Sequence, residues 1–337
     1  MRSLPTSSTR PPHRALALAA LLCLLFALLS ILLGPVSIPP GQLLAILAGG
    51  PQNTPASRIV WYARLPRTAA CLLAGAALAT AGAILQNVLA NPMASPGIIG
   101  VNAGAGLAVT LCCVCTGTGW VVSGAAFLGA AGAAALIVLL AHKTGASRMT
   151  VVLSGVAVNS LLNSASEALG ILFREAGADS ADFRVGGFSA VSIPRLLPAG
   201  AAILLGLGLA LSLANEIELL SMGEASAQGL GLPVRRTRAL LLGLAALLAG
   251  ASVSFCGLLG FVGLLVPHIA RHFIRAGSAW LLPMSALCGA ALVTLCDLAA
   301  RLLFAPYELP AGILLSFLGG PFFILLLLKQ RGGRTYG

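Results

Sequence analysis

The sequence predicts an all-α membrane protein of about ten transmembrane helices. Three observations predict it. Of 337 residues, 58% are hydrophobic and only 9% are charged, with a mean hydropathy of +0.99, whereas a soluble domain carries about 25% charged residues. The apolar residues lie in long continuous runs separated by charge, proline and glycine. Those runs are rich in glycine and alanine, as in helices that pack closely on one another within a bilayer. So few charges cannot cover a water-facing surface, which excludes a soluble domain. Long apolar runs, rather than short alternating strands, exclude an outer-membrane barrel.

The spans follow in order. A polar, basic tail occupies 1–14, and span 1 is about Ala15–Leu33. Its length, and the lack of a small-residue cleavage site after it, read as a retained span rather than a signal peptide. Gly34–Ala63 is a proline-rich loop, partly structured. Span 2 is about Arg67–Leu89, span 3 about Ile98–Val114, and Gly117–Gly119 is a turn. Span 4 is about Trp120–Leu140, followed by a basic loop from Lys143 to Arg148. Span 5 is about Thr150–Phe173, and a polar loop runs from Arg174 to Arg195. Span 6 is about Leu196–Ala214, span 7 about Ala239–Cys256 and span 8 about Leu258–Ile269. Span 9 is about Ala279–Leu303, span 10 about Leu309–Leu328, and a basic tail occupies 329–337.

Ten spans place both termini on one side. With that side cytoplasmic, 13 of the 20 basic residues fall on it, in agreement with the positive-inside rule. The net charge of +11 is therefore a topology signal and not a nucleic-acid surface. The seven exceptions are Arg58, Arg64, Arg67, Arg174, Arg184, Arg195 and Arg301, and they make a basic outer face.

The stretch from Arg64 to Gly106 organises the chain. Two arginines flank Leu65-Pro66, an uncharged small-residue run follows, and a proline-broken turn closes it. Leu72–Pro92 aligns without gaps with Leu247–Pro267, matching at 8 of 21 positions. The copies lie five spans apart, so they run in opposite directions, which is an inverted-topology repeat. The alternative is a packing composition common to both.

Catalytic chemistry is not visible. No phosphate-binding glycine loop, H-E-x-x-H or G-x-S-x-G occurs. The eight cysteines sit in apolar runs and read as small buried hydrophobes, and no metal site is expected. His268 reads as a capping or packing residue. Glu167 lies in span 5, as a cavity-facing polar group or a proton relay. Asp297 and Arg301 are spaced to pair along one face of span 9. The most polar internal stretch, Asn215–Arg238, suits two short helical pieces with a glycine break on the cytoplasmic side. It could form a docking surface.

These blocks carry a resemblance. RLPR at Arg64–Arg67, GAALATAGAILQ, NPMASPGIIGVNAGAG, GEASAQGLGLPVRR, GFVGLLVPHIAR at Gly260–Arg271 and ELPAGILLSFLGGPFFILLLL at Glu308–Leu328 are shared with one family. The chain resembles, from about Arg64 to Lys329, the permease subunit of bacterial ABC importers for iron–siderophore complexes, haem and vitamin B12, a type II importer permease. Phe183 and Gly186-Gly187 stand where that family often has Trp and Gly-Ser.

The resemblance implies a transport subunit that is not itself an enzyme, sits in the bacterial inner membrane and has both termini cytoplasmic. A second permease copy, ABC ATPase subunits, a substrate-binding protein and the lipid bilayer are the implied partners, with no nucleic acid. No cofactor is implied in this chain; ATP and Mg are bound by the ATPase. Within the segment 216–238, Ser221, Gly223, Glu224, Ala227, Leu230, Gly231 and Pro233 are implied to couple to the ATPase. Arg64, Arg67 and Arg301 are implied to dock the binding protein. Asn87, Asn102, Asn159 and Asn163 are candidate contacts along the translocation path. An ion-coupled secondary transporter is the alternative, resting on Glu167 or Asp297, and a membrane-embedded enzyme is a third reading.

Overall fold

The computed structural model describes residues 12–50, 53–115, 119–143, 148–274 and 276–331. Arg2, Arg10, Gly117, residues 144–147 of the basic loop, Arg275 and Arg334 lie outside the described residues. Every regular element among the described residues is helical.

Helix α1 (Pro12–Leu32) is followed by two short helices, α2 (Pro40–Leu47) and α3 (Pro55–Ile59). A π-helical turn at Val60–Arg64 joins α3 to α4 (Leu65–Val88) without interruption. The helix that holds span 2 thus begins at Pro55 rather than near Arg67. Two of the prolines that read as loop breakers are helix starters. Pro40 and Pro55 open their helices, where a missing N–H removes no hydrogen bond, and Thr54 caps α3 by accepting from the Ser57 N–H at 3.2 Å.

After a 3₁₀ turn at Pro96–Ile99 come α5 (Val101–Val114), α6 (Trp120–Lys143) and α7 (Arg148–Leu172). The polar loop folds into α8 (Arg174–Asp179) and α9 (Ala181–Val185), and α10 (Ile193–Ser212) returns. Two short helices, α11 (Ala214–Ser221) and α12 (Glu224–Gly229), precede α13 (Val234–Cys256). The remaining helices are α14 (Val262–Phe273), α15 (Ser278–Leu302) and α16 (Ala311–Arg331). Among the described residues, seven long helices are apolar enough to cross a membrane. With α5, α14 and α16 they occupy the ten expected positions.

The bundle is centred on α4. In its most apolar stretch 78% of residues are buried, against 11% for α1. Helix α15 runs antiparallel to α4 at backbone contact. A Cβ built on Gly75 would lie 2.2 Å from the Gly289 carbonyl oxygen, and one on Gly82 would lie 1.8 Å from that of Gly263 in α14. Glycine is required at both positions because the neighbouring backbone already fills the space a side chain would need.

The repeated segments diverge in structure. Gly82 sits inside the continuous α4. Its aligned partner Gly257 ends α13 at φ +71°. Helix α13 leads, through the non-helical residues 258–261, into the short α14, as α4 leads through a turn into the short α5. The junction at Gly257 is sealed by the 183–187 segment: the Leu258 N–H donates to the Phe183 carbonyl at 2.9 Å, and the Gly187 N–H to the Cys256 carbonyl at 2.8 Å. Backbone that leaves the helix there is thereby paired with protein.

Of the cysteines, Cys71, Cys256 and Cys296 are buried as expected, whereas Cys115, at the end of α5, is exposed. His268 packs edge-on against Phe322 with ring centres 5.8 Å apart.

The close approach has a measurable consequence. Gly82→Ala should lower stability by about 1–3 kcal/mol through overpacking. Gly208→Ala, where an added Cβ meets nothing within 4 Å, should be neutral or raise stability by roughly 0.5 kcal/mol. Thermal unfolding of the full chain in detergent compares the two, and equal midpoints would contradict the backbone contact at Gly82.

Candidate functional site

Two polar clusters tie the bundle together, one at each end of α4. At the first, α1 stops at Leu32 and leaves its last four carbonyls without helical partners. All four are satisfied. The Leu33 N–H donates to the Leu29 carbonyl at 2.8 Å. Arg301 Nη2 donates to the Ser30 carbonyl at 2.8 Å and to its Oγ at 2.6 Å. Arg64 Nη1 donates to the carbonyls of Ile31 and Leu32, each at 2.8 Å, and its Nη2 reaches the Val36 carbonyl. Two guanidinium groups thus sit at a helix C-terminus, where its dipole favours positive charge.

The same cluster holds Asp297 of α15, fully buried. Arg67 of α4 meets it with Nε 3.0 Å from Oδ2 and Nη2 3.0 Å from Oδ1. Arg67 also places Nη1 2.6 Å from Glu308 Oε2. Arg301 Nε lies 3.5 Å from Asp297 Oδ2, the pairing read from their spacing. A buried carboxylate is tolerated because two cations and the fork geometry of Arg67 compensate its lost hydration. Of the three arginines assigned to docking, Arg64 and Arg301 are occupied inside the bundle, 3% and 2% exposed. Arg67 retains a small exposed edge, 12% of its side chain.

At the opposite end a chain of hydrogen bonds crosses four helices. Glu218 of α11 accepts from the Ser278 N–H at 2.7 Å and its hydroxyl at 2.6 Å, at the first turn of α15. The Ser278 oxygen accepts from Asn87 Nδ2 at 3.2 Å. Asn87 Oδ1 accepts from Arg271 Nη2 at 2.8 Å, and Arg271 Nη1 reaches Gln86 Oε1 at 3.2 Å. Gln86 Nε2 donates to the Gly263 and Leu264 carbonyls at 3.4 and 3.3 Å. Asn87 is thus part of this scaffold. Sequence reasoning did not find Gln86, Glu218, Arg271 or Ser278 as a group, although Gln86-Asn87 closing an apolar run was a visible signal.

The α11–α12 segment stands at this end, and its two short helices match the expectation for Asn215–Arg238. The break falls at Gly223, whose φ of +110° lies in the region that favours glycine. Helix α12 begins at Glu224, which pairs with the buried Arg238. Ala227 is fully buried, while Met222 and Leu230 are 62% and 64% exposed. Ser221 donates its hydroxyl to the Glu218 carbonyl at 2.7 Å. Gly231, at φ +83°, and Pro233 lead into α13.

A third feature lies along α7. Ser160, Asn163, Ser164 and Glu167 are exposed on one face of this membrane-length helix. Asn159 turns away and donates to the Gly97 carbonyl at 2.7 Å. Asn102 lines a cavity of about 590 Å³ with Arg184, Leu258, Ser316 and Phe317. Arg184 also borders a second cavity of about 520 Å³ with Glu167 and Arg174. It is steadied by Ser166 Oγ at 2.8 Å and Thr110 Oγ1 at 3.2 Å. The sequence marked Arg184 only as a topology exception. Among the described residues no group of His, Cys, Asp or Glu is arranged to hold a metal ion.

A ten-position helical bundle with buried charge at its ends, a polar membrane face and a projecting two-helix segment defines a polytopic membrane permease. The chain belongs to the FecCD transport family, whose model matches residues 22–329. It is 39% identical over 274 residues to the Fe(3+)-citrate import system permease protein YfmD of Bacillus subtilis, covering 81% of this chain and 82% of that one. The achromobactin transport system permease protein CbrC of Dickeya dadantii is 37% identical, covering 94% and 91%. The hemin transport system permease protein HmuU of Yersinia pestis is 36% identical, covering 84% and 88%. A solved structure of a metal-chelate type ABC transporter in an inward-facing conformation superposes with a TM-score of 0.84 at 29% identity, covering 94% of this chain and 99% of that one.

The Asp297 cluster makes a graded prediction. Asp297→Asn removes the buried carboxylate between two arginines and should destabilise by about 3–5 kcal/mol. Glu308→Gln, at the rim, should change stability by less than about 1 kcal/mol. Thermal unfolding in detergent measures both. Equal effects would show that Asp297 is not the centre of the cluster.

Proposed function

We propose that this chain is the permease subunit of an ATP-driven importer in the bacterial inner membrane, carrying an iron–siderophore, ferric citrate or haem cargo into the cell. The cargo follows the relatives, whose names specify ferric citrate, achromobactin and hemin. Cobalamin remains a cargo of the same expected set.

The observation that carries the reading is the α11–α12 segment. It exposes the apolar Met222 and Leu230 at the end of the bundle that holds Glu218 and Arg271. A separate ATPase subunit would seat on Met222 and Leu230. Ser221, Gly223, Gly231 and Pro233 shape the segment, and Glu224 and Ala227 anchor it to the permease. ATP and Mg bind in that partner. Ten spans would put both termini on one side, cytoplasmic by the positive-inside rule.

The polar face of α7 supports a second copy of the permease. Serine, asparagine and glutamate do not face lipid when a partner or a water-filled cavity is available. A path between two copies would be lined by Asn163 and Glu167 with Asn102 and Arg184. Asn87 and Asn159 support its walls. At the far end Arg67 offers the exposed charge for a binding protein, Glu308 occupying it meanwhile, with Arg64 and Arg301 setting the rim. A proton-coupled carrier is disfavoured because Asp297 is held between Arg67 and Arg301, leaving Glu167 as its remaining candidate.

Reconstitution with an ATPase subunit and a substrate-binding protein of the same importer class tests the reading. Uptake of a ferric chelate into proteoliposomes should require ATP. Uptake driven by a proton gradient alone would sink the proposal. Leu230→Asp should abolish co-purification of the ATPase without moving the permease's own unfolding midpoint.

The hydrogen-bonded chain adds a separate expectation. Arg271→Leu should leave the ATPase bound and hydrolysing but cut uptake per ATP by roughly tenfold, since it disconnects α14 from α4 and α15. Uptake at the unmodified rate would remove Arg271 from the coupling route.

A further inference from the structure

An apolar cavity lies away from the proposed path, between α6 and α13. It measures about 620 Å³ and is walled by Phe127, Ala134, Val138, Leu139, Ala246 and Leu247. At its α11–α12 end it is closed by Arg235 and Arg236 in the first turn of α13. Both arginines are exposed, and among the described residues neither forms an ion pair. Their neighbour Arg238 is the one committed to Glu224. Lys143 lies one helical turn beyond Leu139 on the same face of α6 and is also exposed. The site therefore joins a long apolar trough, at bilayer depth, to three cations at the membrane boundary.

A water-filled site would place polar groups along the trough, and these walls carry none. A second permease copy or a peptide would have to present an acidic group beside a long apolar chain. The ligand that has this shape as a single molecule is a membrane phospholipid with an anionic headgroup. The small residues along the trough explain why it is open. Gly243 lines it, and a Cβ built there meets nothing within 4 Å.

We propose that the α6–α13 groove is a binding site for an anionic phospholipid, with an acyl chain along Phe127, Ala134, Val138 and Leu247 and the phosphate at Arg235 and Arg236. Charge selects the headgroup, and the groove distinguishes a lipid from a free phosphate ion. Bound there, the lipid would fill the seam between α6 and α13 next to the α11–α12 segment, whose position the start of α13 sets.

The full-length protein, delipidated in detergent, is titrated with dioleoyl-phosphatidylglycerol or dioleoyl-phosphatidylcholine and read by native mass spectrometry. Phosphatidylglycerol should be retained roughly tenfold more strongly than phosphatidylcholine. Arg235→Ala with Arg236→Ala should erase that preference, and Arg235→Lys with Arg236→Lys should keep most of it. Gly243→Leu should reduce retention of both lipids while the unfolding midpoint in detergent is unchanged. Equal retention of the two lipids by the unmodified protein would overturn the proposal. So would displacement of phosphatidylglycerol by millimolar inorganic phosphate, which would leave only an anion site. A Gly243→Leu variant that dissociates a permease dimer yet binds lipid normally would assign the groove to a second copy, and the proposal would again fail.

Discussion

Backbone contact at Gly75 and Gly82 is the constraint on which the rest of this bundle depends. Two helices that meet through side chains sit 8–10 Å apart. Here α4 and α15 meet carbonyl to Cα, with no room for one additional carbon at Gly75 or at Gly289. That closeness brings Arg67 within direct reach of Asp297 and Asn87 within reach of Ser278 at the other end of the same seam. In a bilayer, where lipid tails are as apolar as leucine, such packing is the main force available to hold helices together.

The two polar clusters follow from that seam and play different physical roles. The Arg64–Arg67–Arg301–Asp297 cluster is closed. Arg64 and Arg301 satisfy the Ser30, Ile31 and Leu32 carbonyls at the end of α1, and Arg67 and Arg301 compensate one buried carboxylate, so the cluster holds α1, α4 and α15 together. The Glu218–Ser278–Asn87–Arg271–Gln86 chain is open at one end. It begins on α11, beside the exposed Met222 and Leu230, and finishes on the backbone of α14. It links the α11–α12 segment by side chains to α4, α14 and α15. Rigid-body movement is a common repertoire for transporters and switches.

Helix α7 is the counterpart to this packed centre. Its exposed face carries hydroxyl, amide and carboxyl groups, and Glu167 shares a cavity with Arg184. Membership of a transport family and a polar membrane face are mutually consistent. The packed α4 side supplies stiffness, and the α7 side supplies a surface that tolerates water.

Much of this was legible in the chain itself. Ten apolar runs, their order and their approximate ends could be read because hydrophobic length and charge placement are properties of consecutive residues. The Asp297–Arg301 pair and the two-piece helical segment with its glycine break could be read for the same reason. The helix start at Pro55 was misjudged because proline marks both breaks and first turns, and only the capping Thr54 distinguishes them. What the tertiary structure alone decided is which distant residues meet. Arg67 and Asp297 lie 230 positions apart, and no local pattern could assign Arg64 and Arg301 to the end of α1, or Asn87 to Arg271. Sequence determined that these side chains are charged, apolar or small. Packing at Gly75 and Gly82 determined which of them touch, because the reach of a side chain is a few ångströms and the separation of two helices is set by the smallest residues between them.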